Sequence, residues 1–291
     1  MRKFGLSVAM AMGLMGAGHA TAQYSSQDDV VVTARKPLNR EEATRFVSSI
    51  TAGRSDGQVA RFEAPVCPMV IGFTPEISRQ IVARIRKVAK AVGAEVAPED
   101  CTGNVALVAT PDGGALVKGM RATNPELLAG LETTQIRRLI DGGGPVRAWS
   151  ATATVNEDGQ RLSAPSSSNP MGPSSLNVKT ASILNPSSKR VIDTSTVVID
   201  SPVMAGKTVI QLADYVAMRA LAKTRPVEGE AKVGTILTLF DPAASPPQSV
   251  TEVDVAYLKA LYAMPGNRRM GYQISTIAKA VTEASTRSSG Q

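Results

Sequence analysis

Histidine is almost absent from this sequence. The 291 residues contain one histidine, His19, and it lies in an N-terminal segment with the features of a removable secretion signal. The mature chain is therefore expected to have none, which excludes Ser-His-Asp catalysis, Cys-His catalysis and histidine-ligated metal sites. Two cysteines alone do not make a zinc site, so the sequence predicts no metal and no other cofactor.

Aromatic residues and long apolar runs are also scarce. Aromatics make up 4% of the chain, so stacking platforms for single-stranded nucleic acid or sugars are not evident. The best apolar stretch after the N-terminal segment, residues 208–222, is interrupted by Gln211, Asp214 and Arg219. The sequence therefore predicts a soluble protein without nucleic-acid partners. Its mild positive charge suits contact with anionic envelope polymers or lipids at most, and an envelope protein is the other possible partner.

Residues 1–22 have the pattern of a secretory signal peptide. Arg2 and Lys3 form a charged start, residues 4–18 are apolar or small apart from Ser7, and Ala20-Thr21-Ala22 supplies a cleavage pattern. The alternative is an uncleaved anchor, but 15 residues are too few to span a bilayer core of roughly 30 Å. Cleavage removes 22 residues and two cations, which leaves 269 residues with a net charge of +5. A bacterial periplasm or secretion to the medium is predicted.

The two cysteines are predicted to form a disulfide bond. Cys67 lies at the start of an apolar run, and Cys101 precedes another at residues 105–109. If these runs are neighbouring strands, both cysteines lie near one sheet edge, where a bridge is possible. Such a bridge stabilises a fold by about 3–4 kcal/mol on the chain-entropy model. The alternative is two free thiols.

Residues 23–59 are predicted to be a flexible segment that contains a short helix. The helix covers residues 41–50 with Asn39 as a possible N-cap, and a turn-rich linker at 53–57 follows. Before it, residues 28–36 read Asp-Asp-Val-Val-Val-Thr-Ala-Arg-Lys. This stretch resembles the TonB box of TonB-dependent outer-membrane receptors. The resemblance implies capture of Val30, Val31 and Val32 as an added strand by a periplasmic partner. The alternative is a short β-prone segment near a flexible terminus.

A single globular domain is predicted over residues 60–284, followed by a disordered tail at 285–291. A strand at 60–73, a helix at 75–92 and a strand at 104–110 indicate a parallel pair joined by a crossover helix. A long surface loop is predicted at 164–173. Further strands are expected at 146–155, 182–184 and 196–200, and further helices at 125–140, 209–223, 251–263 and 272–284. The fold class is α+β or α/β, with a mixed sheet of four or five strands and packed helices.

Several polar groups have both a functional and a structural interpretation. The basic side chains of the helix at 75–92, Arg84 among them, are interpreted as its solvated side rather than an anion-binding face. Gly206-Lys207-Thr208 lacks the upstream glycine of a phosphate-binding loop, since Ser201 stands there. Neither Lys207 nor Lys223 has a serine at a diagnostic spacing. Asp193, Asp200 and Asp214 are candidate acid–base groups, and for Asp200 a turn-forming role is favoured.

Residues 196–264 show the order strand, helix, apolar turn, Pro-rich loop and capped helix. Thr251 and Asp254 have capping-box spacing, and a Leu-Tyr pair ends that last helix. This layout resembles the C-terminal half of zincin-like metallopeptidases of the metzincin type, and also exported bacterial proteins that keep the layout without the ligands. The alternative is a coincidence of common elements.

The resemblance implies where metal ligands would stand in such a scaffold. Ala213 and Ala217 occupy the two histidine positions, Asp214 the position of the glutamate base and Lys223 that of a third ligand. Leu237 lies near the methionine position of the apolar turn. Alanine does not bind metal, so the chemistry of the family does not carry over. Instead, Ala213, Ala217 and Ala220 would let the helix pack closely on the sheet.

Three functions from different classes remain open at this point. The first is an exported, non-catalytic binding or structural protein, including a zincin-like scaffold without metal. The second is a hydrolase with a carboxylate or serine site that the sequence does not identify. The third is an envelope accessory factor that engages TonB-type machinery through residues 28–36.

Overall fold

A four-stranded mixed sheet organises the described part of the chain. The computed structural model describes residues 37–53, 57–142, 144–163, 172, 174–179, 185–227 and 233–288. The strands are β1 (Pro68–Ile71), β2 (Val105–Thr110), β3 (Val146–Asn156) and β4 (Ser188–Asp200), in the spatial order β1-β2-β4-β3. β1, β2 and β4 are parallel, and β3 pairs antiparallel with β4. The predicted mixed sheet with packed helices is confirmed.

Helices surround this sheet and continue beyond it. They are α1 (Arg40–Ile50), α2 (Pro75–Ala91), α3 (Gly113–Thr123), α4 (Thr133–Asp141), α5 (Val209–Leu221), α6 (Glu252–Ala263) and α7 (Met270–Ser288). Three 3₁₀ turns occur at Pro125–Leu128, Ser201–Met204 and Ile236–Thr238. In the described part of the chain no helix is both long and apolar enough to cross a membrane.

The two faces of the sheet carry cores of very different size. The larger core contains Leu107, Val197 and Ile199 from the strands, together with buried side chains of α1, α2, α5, α6 and α7. The smaller core on the other side contains Val108, Trp149 and Val198, covered by side chains of α3 and α4. The alternation follows from strand geometry, since neighbouring residues such as Val197 and Val198 point to opposite faces.

The prediction that the domain begins near residue 60 is wrong, because α1 belongs to the larger core. Ala43, Val47 and Ile50 are at most 1% exposed. The backbone N–H of Leu38 donates to Ser285 Oγ at 3.0 Å, which fixes the start of α1 against the end of α7. The same contact explains why residues 285–288 are helical rather than part of a disordered tail.

The strand predicted at 60–73 is confined to Pro68–Ile71. Upstream of it, Arg61 and Val66 form only isolated bridges, to Val191 and to Val96. Proline has no N–H for a sheet ladder, and Pro65 interrupts the segment between the two bridges. β4, by contrast, extends eight residues further back than predicted, to Ser188.

The region between β2 and β3 also differs from the prediction. An additional helix, α3, begins at Gly113, with Asp112 as its N-cap. A Cβ at Gly113 would lie 2.7 Å from Arg147 Nη1, 2.8 Å from Asp200 Oδ1 and 2.9 Å from Val198 Cγ1, so glycine is required by packing. The predicted helix at 125–140 is interrupted at Gly130, whose φ of 79° lies in the left-handed region.

Several predictions lie outside the described residues. These are the signal peptide at 1–22, the TonB-box-like residues Val30, Val31 and Val32, the strand at 182–184, most of the loop at 164–173 and the last three tail residues. The predicted disulfide between Cys67 and Cys101 is present, with Cα atoms 6.1 Å apart.

We predict that Ile50→Ala lowers the free energy of unfolding by about 2–5 kcal/mol, because it removes a fully buried side chain from the core. Ser48→Ala on the exposed side of α1 is the matched control, with an expected change within about 0.5 kcal/mol. Urea unfolding followed by circular dichroism measures both. Equal stability of the two variants would show that α1 does not belong to the core.

We predict that Tyr257 contributes stability that is lost at alkaline pH. Burial raises the pKa of Tyr257 to about 12, against a hydrogen bond with Thr51 that lowers it. An unfolded tyrosine ionises near pH 10. The contribution is therefore complete below pH 10 and is lost as the pH rises from about 10 to about 12, at roughly 1.4 kcal/mol per pH unit.

Urea unfolding between pH 9 and pH 11.5 tests this dependence. In Tyr257→Phe, the free energy of unfolding should decline less steeply with pH, by roughly 1.4 kcal/mol per pH unit. Tyr272→Phe, at a residue that is 53% exposed, should leave the decline unchanged. The same decline in Tyr257→Phe and in the parent chain would contradict the assignment.

Candidate functional site

α5 is the helix on which a metal site would lie if the zincin-like layout carried one. Its N-terminus is closed by a capping box, in which Thr208 accepts from Gln211 N–H and the Gln211 side chain accepts from Thr208 N–H. From Gln211 to Leu221 every residue is buried. Ala213 and Ala217 are 0% exposed and belong to the larger core. The two positions therefore face packed side chains rather than a cleft.

Asp214, at the position of the glutamate base, forms a buried ion pair. Arg84 of α2 donates from Nε to Oδ1 at 2.7 Å and from Nη2 to Oδ2 at 2.8 Å. The backbone N–H of Val250 donates to Oδ2 at 2.8 Å. The Asp214 side chain is 0% exposed and that of Arg84 is 16% exposed. Both oxygens of Asp214 therefore accept hydrogen bonds from the fold, and no solvent-facing base results.

Arg84 itself corrects the prediction that the basic residues of α2 form its solvated side. It lies three residues after Ile81 and four before Val88, both buried, so it flanks the apolar stripe of the helix. This spacing is the signal that the sequence offered. The partner on α5, 130 residues further along the chain, is apparent only from the structure.

Asp254 is a second buried carboxylate with a structural role. Thr235 Oγ1 donates to its Oδ1 at 2.6 Å, while the backbone N–H groups of Ile236 and Thr251 donate to Oδ2. Burial raises the pKa of Asp254, and these hydrogen bonds oppose that effect. The arrangement holds the 3₁₀ turn that contains Leu237 against the start of α6. The predicted capping box between Thr251 and Asp254 is confirmed.

Asp200, a candidate acid–base group at the end of β4, connects three elements. Its Oδ1 accepts from the Gly113 N–H of α3 at 2.7 Å and from Arg147 Nη1 of β3 at 3.0 Å. Arg147 Nε donates to Leu139 O near the end of α4. The side chains of Arg147 and Asp200 are 10% and 21% exposed. The Asp200 side chain therefore fixes the α3–α4 layer to the sheet. Asp200 is also the N-cap residue of the 3₁₀ turn Ser201–Met204, as a turn-forming role predicts, but its side chain makes no hydrogen bond to that turn.

The remaining candidate groups from the sequence are Asp193, Lys207 and Lys223, and each has its own local structural setting. Asp193 pairs with Arg161 at the surface, at 2.7 and 2.9 Å. Lys207 precedes the N-cap of α5, and Gly206 has a φ of 74° there. Lys223 follows α5 with a positive φ of 45°. Burial lowers the pKa of Lys223, and the nearby positive charge of Arg190 lowers it further. Within the described ranges no three His, Cys, Asp or Glu side chains form a metal-binding group.

A polar cleft of about 300 Å³ lies between the start of β4 and the α6–α7 connection. We define it by Arg61, Glu63, Ser188, Lys189, Gly266 and Asn267, which line it. Arg61 Nη1 donates to the carbonyls of Leu261, Tyr262 and Met264, so it also closes the end of α6. This segment was expected to be a plain strand. In the sequence, Arg61 and Glu63 stand on either side of the apolar Phe62. In an extended segment this alternation indicates two charged side chains on the same side.

Glu63 is the electrostatic centre of the polar cleft. Its Oε1 accepts from Arg61, and its Oε2 accepts from Lys189 Nζ at 2.9 Å. Burial opposes ionisation of Glu63, but the hydrogen bonds from Lys189 and Arg61 outweigh it and hold its pKa below the ordinary value. Lysine has three N–H donors, of which one goes to Glu63. Lys189, Ser188 and Asn267 can therefore offer hydrogen bonds to a small polar molecule.

Comparison with known proteins adds no assignment: no family model, no curated protein and no solved structure matches this chain.

We predict a large coupling energy between Arg84 and Asp214. Asp214→Ala should cost about 3–5 kcal/mol, because it leaves a mostly buried guanidinium without its carboxylate. The double variant with Arg84→Ala should be less destabilised than the sum of the single variants. The exposed pair Arg161–Asp193 is the control, with an expected coupling of at most about 1 kcal/mol. Urea unfolding of both cycles supplies the comparison, and equal couplings would refute a structural role for Asp214.

Proposed function

We propose that this chain is an exported, non-catalytic binding or structural protein, built on a zincin-like scaffold that holds no metal. One observation carries the proposal: both buried carboxylates of the described chain, Asp214 and Asp254, are held by hydrogen bonds within the fold. Asp214 accepts from Arg84 and Val250, and Asp254 accepts from Thr235, Ile236 and Thr251. A general base needs a free lone pair within reach of substrate, and these two buried groups have no access to solvent.

The order of elements over residues 196–264 supports the scaffold part of the proposal. β4 is followed by α5, then by the 3₁₀ turn at Ile236–Thr238, a loop and the capped helix α6. This is the layout that suggested the resemblance. Ala213, Ala217 and Ala220 are each fully buried, so small residues at these positions serve close packing of α5.

The polar cleft is the surface that we assign to a binding role. It presents charges of both signs on rigid supports, because Arg61 is tied to the end of α6 and Glu63 lies between two cations. A small molecule with several hydrogen-bonding groups suits such a lining better than an apolar ligand. Export itself rests on the signal pattern of residues 1–22.

We predict that the purified mature chain, residues 23–291, contains no stoichiometric zinc or iron and shows no turnover in peptidase, esterase and glycosidase assays. Elemental analysis and these assays measure the two properties. Stoichiometric metal that is retained on dialysis would overturn the proposal, because the scaffold would then have a site that its residues do not suggest.

Matched variants decide whether any weak turnover belongs to this chain. Lys223→Ala and Lys207→Ala remove the two lysines that could activate a serine. Turnover that disappears in either variant would overturn a non-catalytic role, and so would turnover that persists in both variants and co-purifies with the chain. For the polar cleft, thermal unfolding with a panel of amino acids and oligosaccharides is the assay. A probe that raises the unfolding temperature of the parent chain should no longer do so in Lys189→Met. It should still do so in Lys179→Met, the control, because Lys179 is an exposed lysine that does not line the cleft.

A further inference from the structure

The two sulfur atoms of the disulfide lie in different surroundings. Cys67, just before β1, is 4% exposed, whereas Cys101, in the loop before β2, is partly exposed. Thiol–disulfide exchange begins when a thiolate attacks a sulfur that it can reach. An external thiol therefore has access to Cys101 rather than to Cys67.

A fixed guanidinium lies beside the accessible sulfur. Arg86 Nη2 donates to Cys101 Sγ at 3.5 Å. Arg86 also donates from Nη1 to Ala97 O at 2.5 Å and from Nη2 to Pro98 O at 2.7 Å, so it is tied to the loop that carries Cys101. A neighbouring cation stabilises a thiolate, while apolar burial disfavours one. Once the bond is reduced, Arg86 therefore favours the charge on Cys101, against the carboxylates of Glu99 and Asp100 in the same loop, and Cys67 is expected to stay protonated.

Hydrogen bonds connect Cys67 to Asn104 and Val105, three and four residues after Cys101, independently of the sulfur–sulfur bond. Cys67 O accepts from the backbone N–H groups of Asn104 and Val105 at 2.9 and 3.1 Å. Cys67 N–H donates to Asn104 Oδ1 at 2.8 Å, and Asn104 Nδ2 donates to Pro65 O at 3.0 Å. The reduced chain therefore keeps both thiols near each other, which favours rapid reclosure of the bond.

We propose that Cys67 and Cys101 form an exchangeable redox pair, in which Cys101 is the site of attack and Cys67 is the buried resolving thiol. The partner is a thiol, either a small molecule or one cysteine of a dithiol protein. Its thiolate attacks Cys101 Sγ, the bond between the two cysteines breaks, and the electron pair goes to Cys67 Sγ, which takes a proton from water. The product is a mixed disulfide at Cys101.

The mixed disulfide can react in two ways. In the reverse reaction, Cys67 loses its proton, its thiolate attacks Cys101 Sγ, and the external thiolate leaves. In the forward reaction, a second external thiolate attacks the external sulfur and expels Cys101 as a thiolate beside Arg86. The forward path transfers two electrons to the protein and leaves one external disulfide. Arg86 is thus a positioning residue that stabilises the departing sulfur.

Alkylation of a single-thiol variant tests the thiolate at Cys101. Cys67→Ser leaves Cys101 as the sole thiol of the chain. The rate of its reaction with iodoacetamide, measured against pH, should reach half of its plateau well below the value of about 8.5 that is typical of a free cysteine. Adding Arg86→Gln should move this midpoint up to about 8.5, and Arg86→Lys should move it less because the charge remains.

Arg79→Gln is the matched control, since Arg79 is an exposed arginine of the same helix that pairs with Glu76. It should leave the midpoint unchanged. A midpoint at or above about 8.5 in Cys67→Ser would overturn the proposal. So would a midpoint that is the same with and without Arg86, provided that circular dichroism shows both chains to be folded.

Equilibration of the unaltered chain with reduced and oxidised glutathione tests the exchange itself. Mass spectrometry after acid quenching should find glutathione on Cys101 and not on Cys67. If Arg86 lowers the alkylation midpoint by about two pH units, Arg86→Gln should require about 4-fold more reducing conditions for half reduction at pH 7. Glutathione on Cys67, or reduction only together with unfolding, would overturn the proposal. Neither outcome depends on the metal and hydrolase assays.

Discussion

The rest of the larger core depends on one buried ion pair. Asp214 lies on the helix with the deepest burial, α5, and its charge is tolerated there because Arg84 and the Val250 N–H surround its oxygens. An unpaired carboxylate in that position would cost several kcal/mol. The pair therefore restricts α2, α5 and the segment before α6 to one mutual arrangement. Alternative packings of these apolar helices would separate the two charges.

Other charged side chains form hydrogen bonds with backbone groups where irregular segments join helices or strands. Asp254 holds the 3₁₀ turn at Ile236–Thr238, Asp200 holds the start of α3, and Arg61 holds the carbonyls at the end of α6. Backbone groups in such places have no ladder or helical partner, so side chains must satisfy them. As a result, the candidate acid–base groups Asp200 and Asp214 stabilise the fold instead. The polar cleft and the disulfide are the two places at which we propose contact with other molecules.

Local patterns predicted many of the individual elements. The helices predicted at 75–92 and 251–263 correspond to α2 and α6 within one residue at each end, and the strand predicted at 196–200 is the last part of the longer β4. The predictions failed where a distant segment changes the meaning of a local signal. α3 begins at Gly113-Gly114 because Asp200 and Arg147 occupy the space beside it, and α1 is core because α7 covers it. Neither partner is near in sequence.

The sequence by itself predicted the mixed sheet with packed helices and the pairing of its two cysteines, and both are present. These follow from composition and from periodicities that involve a few consecutive residues. Only the tertiary structure decided that Ala213 and Ala217 lie in the core, that Arg84 pairs with Asp214, and that Arg86 donates a hydrogen bond to Cys101. The physical reason is that burial and charge pairing are properties of neighbours in space, and the decisive neighbour of Asp214 is 130 residues away along the chain.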